Sequence, residues 1–401
     1  MLSIYEAQKI MLNYTTSTIK TEIIPIENGL DRVLALDIKA TFDMPRFDNS
    51  AMDGYGIKFE DVGDKVKLKN RELAGDKSFS IQKGETIKIM TGAKVDKSIE
   101  AVVPIEFVKV KDDFIYLPKD VKFKANIRLQ GEEFKKGDIL IYKGEILNSS
   151  KIALIASLGI THIKVFKKPT ILVIPTGNEI KNHYETIDEF SHFNSSSLYF
   201  KMEKLADVTI LDVVGDKIEE IEKYIDNSYD LIITTGGVSK GDADFTNEAF
   251  KKKGYKIEFS WIDIKPGKPF SFGILKNDNS YNIACLLTGN PLASLFNYQI
   301  FVKPIIRKLA GCKEYYIDYI ELFTINNLKR KAGRDEVIPI TISDKGVKLS
   351  NKRGSGMISV VSKSDGVIII DKTIWEIGKN QKVKFIDFQK WSDKFKEFIS
   401  E

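Results

Sequence analysis

Tyr229-Asp230-Leu231-Ile232-Ile233-Thr234-Thr235-Gly236-Gly237-Val238-Ser239-Lys240-Gly241-Asp242-Ala243-Asp244-Phe245 reads as a strand, a glycine turn and the start of a helix. The run from Leu231 to Thr235 is apolar, β-branched and closed by glycines, as in a buried strand. Helical spacing resumes from Phe245 to Phe250. That order makes a phosphate cradle: free N–H groups and the positive end of a helix point at the turn. Glycines let an anion approach those groups closely. Asp242 and Asp244 complicate the cradle, because two charges 4 Å apart interact by about 4 kcal/mol at an effective dielectric near 20. Acids beside a phosphate therefore imply a hard cation between them, and Mg²⁺ suits one or two carboxylates plus phosphate oxygens. The plainer reading makes Asp242 a helix cap; both acids cannot cap one helix.

Around this stretch, strands fit 170–175, 208–213, 230–235 and 282–287, and helices fit 195–206, 217–226, 245–253 and 292–309. Such alternation predicts a mostly parallel sheet covered on both faces, with ligands beyond the carboxyl ends of its strands. Three strand ends carry polar glycine motifs: Thr176-Gly177-Asn178-Glu179, Thr235-Gly236-Gly237 and Thr288-Gly289-Asn290-Pro291. They are expected to meet along one edge. Between the last two, Ile264-Lys265-Pro266-Gly267-Lys268-Pro269 sets two lysines in a proline-stiffened loop. It reads as an anion-binding loop or as a solvated turn.

The rest of the chain is β-rich. A helix is predicted at 3–14, an extended segment at 17–42, and a helix at 149–158 ended by Gly159. Pro45-Arg46-Phe47-Asp48-Asn49-Ser50-Ala51-Met52-Asp53-Gly54-Tyr55-Gly56 lacks an amphipathic period and reads as a loop, a candidate site or a turn-stabilised connector. Short alternating strands over 65–124 predict a small β domain, with Thr91-Gly92-Ala93 between two of them. Lys167-Lys168-Pro169 marks a domain boundary. Strands are expected at 336–342, 357–361, 366–370 and 382–387. Arg334 there forks an oxyanion or, by default, pairs with Asp335 at the surface.

With 401 residues, several domains are expected. The 61 basic and 56 acidic residues are intermixed, which argues against nucleic acid as partner. Cys285 and Cys312 form no CxxC pair, so neither a disulfide framework nor a zinc site is expected. No apolar run approaches membrane-spanning length, and the first residues lack signal-peptide character. A soluble, cytoplasmic protein is the expectation.

Taken together the motifs resemble the MoeA-type molybdopterin molybdenumtransferases, a family that includes a domain of gephyrin. Pro45 to Tyr55 is similar to the family's PxFDNSAMDGYA signature, and Met90 to Ala93 to its MTGA turn. Gly236 to Asp244 resembles its GGVSxGxxD loop, Lys265 to Pro269 its KPGKP, and Gly289 to Pro291 the end of its PGNP. The resemblance implies a multidomain α/β plus β fold: a central, mostly parallel three-layer α/β domain of the molybdopterin-binding type, a small β domain, an elongated N-terminal linker domain and a C-terminal β-barrel-like domain. The implied boundaries are 1–42 with 134–167, 43–133, 168–313 and 314–401. It also implies a homodimer, with the active site where the α/β domain of one subunit meets the small β domain of the other, and transient partners in cofactor biosynthesis.

The implied reaction takes adenylylated molybdopterin and molybdate, releases AMP and yields the molybdenum cofactor with Mg²⁺. Asp53, Thr91, Glu179, Asp216 and Asp244 match positions implied to be catalytic. Glu179, Asp242 and Asp244 are the implied metal ligands. Ser50, Thr176, Gly177, Gly236, Gly237, Ser239, Gly241, Asn290 and Pro291 are implied to bind substrate, with Lys265, Lys268, Arg334 and Ser355 holding molybdate. Departures are Thr288 for proline, Asn178 and Glu133 for aspartates, Lys88 for arginine and Gly56 for alanine. Two alternatives are a molybdopterin adenylyltransferase, which shares the α/β domain, and a scaffold that binds without turnover.

Overall fold

Leu231–Thr235 is a central strand, every residue of which is buried. In a computed structural model that describes residues 1–17, 20–72, 79–238, 244–277, 280–331 and 333–400, it lies within a six-stranded sheet. The strands are β1 (Thr170–Pro175), β2 (Asp207–Ile210), β3 (Leu231–Thr235), β4 (Lys256–Ser260), β5 (Phe270–Lys276) and β6 (Tyr281–Leu287). Their order is β2-β1-β3-β6-β5-β4. β2, β1, β3 and β6 run parallel; β5 and β4 extend the sheet antiparallel. Alternate residues serve opposite cores: Ile233 joins Val173, Cys285 and Phe296, whereas Ile232 joins Leu172, Ala284 and Phe250. Helices thus cover both faces, which is why β3 is apolar throughout rather than alternating.

β4 and β5 fall outside the sequence expectation. β4 mixes Lys256 and Glu258 with Ile257 and Phe259 at the sheet edge, and Gly273 interrupts the pattern of β5. The helix expected over 195–206 closes early, at Ser196–Lys201. The one expected over 292–309 is observed, with a π-wound middle turn at Tyr298–Val302.

By its contacts the chain divides into two compact units, Met1–Leu36 with Lys143–Ala153 and Thr161–Glu401, and Asp37–Tyr142 with Leu154–Ile160. The first unit also holds a seven-stranded sheet. Ile264–Lys265, Asp335–Ser343, Gly366–Ile370, Lys382–Ile386 and Ile320–Phe323 follow one another across it, with Gly346–Leu349 and Ile399–Ser400 alongside. The strand expected at 357–361 is instead a helical turn, Ile358–Val361. None of its residues is fully buried, Val361 alone among them packs against the main core, and Met357 N–H and Val360 N–H close turns onto the carbonyls of Gly354 and Met357.

In the second unit, Ala101–Pro104, Gly54–Ile57, Glu85–Ile89, Lys65–Glu72, Phe114–Tyr116 and Lys109–Lys111 form a sheet in that order. The segment expected as a loop at 45–56 supplies two short strands, Asn49–Ser50 and Gly54–Ile57. At Gly56 a Cβ would stand 3.0 Å from Ile99 Cδ1, so the glycine in place of alanine accommodates Ile99. No helix among the described residues is long and apolar enough to cross a membrane.

Candidate functional site

The three polar strand ends of the central sheet are level with one another. Thr176 N–H donates to Thr235 O (2.9 Å), and Gly236 N–H donates to Leu287 O (2.9 Å). Beyond them opens a cavity of about 580 Å³ walled by Thr176, Glu179, Thr235, Gly236, Gly237, Thr288, Asn290 and Pro291. Gly236 has φ +106°, and a Cβ there would lie 2.4 Å from Thr176 O, so the turn admits no side chain. Asn290 is the N-cap and Pro291 the first residue of a helix, a position that suits proline because its absent N–H has no intrahelical partner. Leu292 N–H donates to Ser355 O (3.0 Å), and Gly356 joins the wall. Thus Ser355 meets the site through its backbone. His192, Asn194 and Ser196 also line it, and no motif in the sequence pointed to them.

Ser239, Gly241 and Asp242 lie outside the described residues. Asp244, not Asp242, occupies the N-cap position of the helix Phe245–Lys252, and its Oδ1 accepts from Asn247 Nδ2 (2.6 Å). Burial pushes the Asp244 carboxyl above its ordinary value. Asp216 and Asn178 bridge each other: Asn178 N–H donates to Asp216 Oδ2 (3.2 Å) and Asp216 N–H to Asn178 Oδ1 (3.3 Å). Burial, then the neighbouring charge of Glu179, pushes the Asp216 carboxyl up. Its Oδ1 is buried with no hydrogen-bond partner among the described residues. An orphaned carboxylate oxygen beside a second carboxylate suits a cation. Among the described residues no three His, Cys, Asp or Glu side chains already stand as a metal cage. Gly177 and Asn178 line a separate cavity of about 480 Å³ with Asp212 and Tyr184.

The basic residues gather elsewhere in the same unit. Ile264–Lys265 pairs in parallel with Asp335 and Glu336, which brings Lys265 Nζ to 2.9 Å from Glu336 Oε1. Glu336 is 1 % exposed; its Oε2 accepts from Arg330 Nε (2.8 Å), and Arg353 NH1 stands 3.7 Å from Oε1. Burial opposes ionisation of Glu336, but Arg330 and Lys265 outweigh it and hold the carboxyl below its ordinary value. Lys268 lies with its ammonium 5.1 Å from the Trp261 ring centroid.

The default pairing of Arg334 with Asp335 is not found among the described residues. Arg334 NH1 donates to Ile264 O (3.4 Å), while Asp335 is buried and accepts from Lys372 N–H (2.9 Å). Pairing with the strand Ile264–Lys265 draws Asp335 inward, and burial raises its pKa to about 6. Glu336, Arg330 and Arg353 were not singled out from sequence; the one local signal was the position of Arg353 against Gly354-Ser355-Gly356.

Within the second unit, the signature loop and the threonine turn make one structure. Thr91 N–H and Oγ–H both donate to Asp53 Oδ1, at 2.7 and 2.8 Å. These bonds hold the Asp53 carboxyl below its ordinary value, with a smaller contribution from Lys88. Ser50 is buried; its Oγ–H donates to Met52 O (2.6 Å) and its carbonyl accepts from Gly92 N–H (2.8 Å).

Residues 2–159 match the family model for the MoeA N-terminal region, domains I and II, and residues 172–308 that for a probable molybdopterin binding domain. The chain is 31 % identical over 407 residues to the molybdopterin molybdenumtransferase of Haemophilus influenzae, covering 97 % of this chain and 99 % of that one. It is 31 % identical over 389 residues to that of Staphylococcus epidermidis, covering 92 % and 91 %. The crystal structure of the molybdopterin biosynthesis moeA protein from Pyrococcus horikoshii superposes with a TM-score of 0.81 at 27 % identity, over 96 % of this chain and 99 % of that one. The cavity lies within the stretch matched to the molybdopterin-binding model, the Asp53–Thr91 contact within the N-terminal one, and the likeness runs the length of the chain: it belongs to the MoeA family of molybdopterin molybdenumtransferases.

Proposed function

We propose that this protein transfers molybdenum from molybdate to adenylylated molybdopterin, releasing AMP, with Mg²⁺ assistance. The observation that carries the reading is the polar cavity beyond three parallel strand ends, with glycine turns and Glu179 in its wall and a cluster of cations in the same unit. The turn at Gly236 and Gly237, with Thr176, Asn290 and Pro291, receives the phosphate end of the substrate, and the missing side chain at Gly236 keeps the approach open. Lys265, Lys268, Arg334 and Ser355 serve molybdate, a dianion that needs fixed positive charge. Mg²⁺ would be held by Glu179 and Asp244, with Asp242, and would supply charge neutralisation as the adenylate departs. Asp216 completes the acidic set of this unit, and Asp53, kept ionised by Thr91, is the candidate catalytic acid of the second unit.

The homodimer, the four-domain division at 42, 133, 167 and 313, barrel-like closure of the C-terminal domain and a cytoplasmic location belong to the same proposal. The experiment supplies adenylylated molybdopterin, molybdate and Mg²⁺ and measures AMP by chromatography. Release is expected only with molybdate present and is expected to stop with a chelator. Absence of release from the wild type refutes the reading, and pyrophosphate formed from ATP and molybdopterin would support adenylyl transfer instead.

A further inference from the structure

Glu336 is the most enclosed carboxylate in contact with several cations, and the cations come from separated segments. Arg330, Lys265 and Arg353 approach it from the loop before its own strand, from the strand Ile264–Lys265, and from the glycine-rich loop at 354–356. The Arg330 side chain is fully buried, and its remaining donors are committed to main chain: NH1 to Asp371 O (2.7 Å) and NH2 to the carbonyl of Arg334. Arg330 and Glu336 therefore form a neutral buried pair through Oε2, and Glu336 Oε1 is left facing Lys265 and Arg353. Lys265 and Arg353 stay as two positive charges that this pair does not cancel, and both keep some exposure, 41 % and 18 % of their side chains. Arg353 NH1 is enclosed without a hydrogen bond among the described residues.

Chain continuity ties the cluster to the cavity. Two residues after Arg353, the carbonyl of Ser355 accepts from the helix at Leu292, and Gly356 is part of the cavity wall. Arg334, whose carbonyl Arg330 holds, reaches the carbonyl of Ile264, next to Lys265.

We propose that Glu336, backed by Arg330, is a positioning residue for a tetrahedral oxyanion dianion: it holds Lys265 and Arg353 together, and Arg353 is a further oxyanion-binding residue. This rests on the molybdate-handling reading above. The dianion takes hydrogen bonds from two cations whose approach to each other is made tolerable by one buried carboxylate. Without that carboxylate the like charges separate, and their donors no longer converge.

The test uses the full-length protein and its Glu336→Gln and Arg353→Gln variants. Equilibrium dialysis with molybdate and with AMP gives affinities, and steady-state AMP release gives KM for each substrate. Both variants are expected to weaken molybdate binding and raise its KM by roughly tenfold or more, the scale of one charge-assisted hydrogen bond. KM for the adenylylated pterin and affinity for AMP are expected to stay within about twofold, a split that general unfolding would not produce. Should Glu336→Gln fail to fold, Arg353→Gln decides, since Arg353 lies nearer the surface. Wild-type or tighter molybdate binding in Arg353→Gln overturns the role of Arg353; the same result in folded Glu336→Gln overturns positioning by Glu336. A wild type that turns over normally beside unaffected variants sinks this inference alone, whereas a wild type that neither binds molybdate nor releases AMP sinks the functional reading with it.

Discussion

Replacement of Asp335 by asparagine isolates one buried carboxyl whose ionisation opposes folding. Asp335 is 5 % exposed, faces the charges of Asp371 and Asp263, and gains only partial relief from Lys372. Its pKa rises from an ordinary 3.8 to about 6. An acid that holds its proton more tightly when folded costs nothing while both states are protonated, below about pH 4. The cost grows as pH rises through the window between the two values and is complete above about pH 6. Two pK units correspond to roughly 3 kcal/mol, an upper bound for this site. Asparagine is neutral at every pH, and its Oδ1 can still accept from Lys372 N–H. Urea unfolding followed by circular dichroism between pH 4 and 7 is the assay. The stability of Asp335→Asn relative to wild type is expected to rise by up to about 3 kcal/mol across that range. A difference that stays flat with pH, or that falls, refutes the assignment of an uncompensated buried carboxyl here.

Gly236→Ala places a methyl 2.4 Å from Thr176 O at φ +106°; AMP release is expected to drop at least about tenfold and Tm to fall, as calorimetry would record. Normal activity would show that the turn does not need its present shape. Thr91→Val deletes one of two bonds to Asp53 Oδ1 while sparing the backbone donor. Because those bonds keep Asp53 ionised at lower pH, the acid limb of the AMP-release profile is expected to move to higher pH; an unmoved limb would separate Asp53 from the chemistry. Asn282→Leu strands the carbonyls of Asn227 and Tyr229, which Asn282 Nδ2 serves at 2.9 and 2.8 Å, just where β3 begins. A loss of about 2 kcal/mol or more in urea unfolding is expected; a neutral result would mean water takes over both acceptors.

The contact of Thr91 with Asp53, 38 residues away, was not legible in the chain, whereas the parallel strands and the glycine turns that end them were. Each depends on neighbours within a few residues or on a short motif: β-branched runs must be strands buried on both faces, and Gly236 marks a turn without room for a Cβ. β4 and β5 were not legible, because edge position and pairing with β6 decide them rather than local pattern. The charged residues show the difference most sharply. From sequence, Lys265 is a loop lysine, Arg334 pairs with Asp335, and Glu336 is one acid among many. Pairing of Ile264–Lys265 with the strand Asp335–Ser343 buries Asp335 and Glu336, turns Glu336 into the counter-ion of Arg330, and brings Lys265 and Arg353 to one carboxylate. Side-chain type is a property of the chain, but the dielectric around a charge and the identity of its partner are set by distant segments, so only the tertiary structure decides which charges are spent in the core and which are left for a ligand.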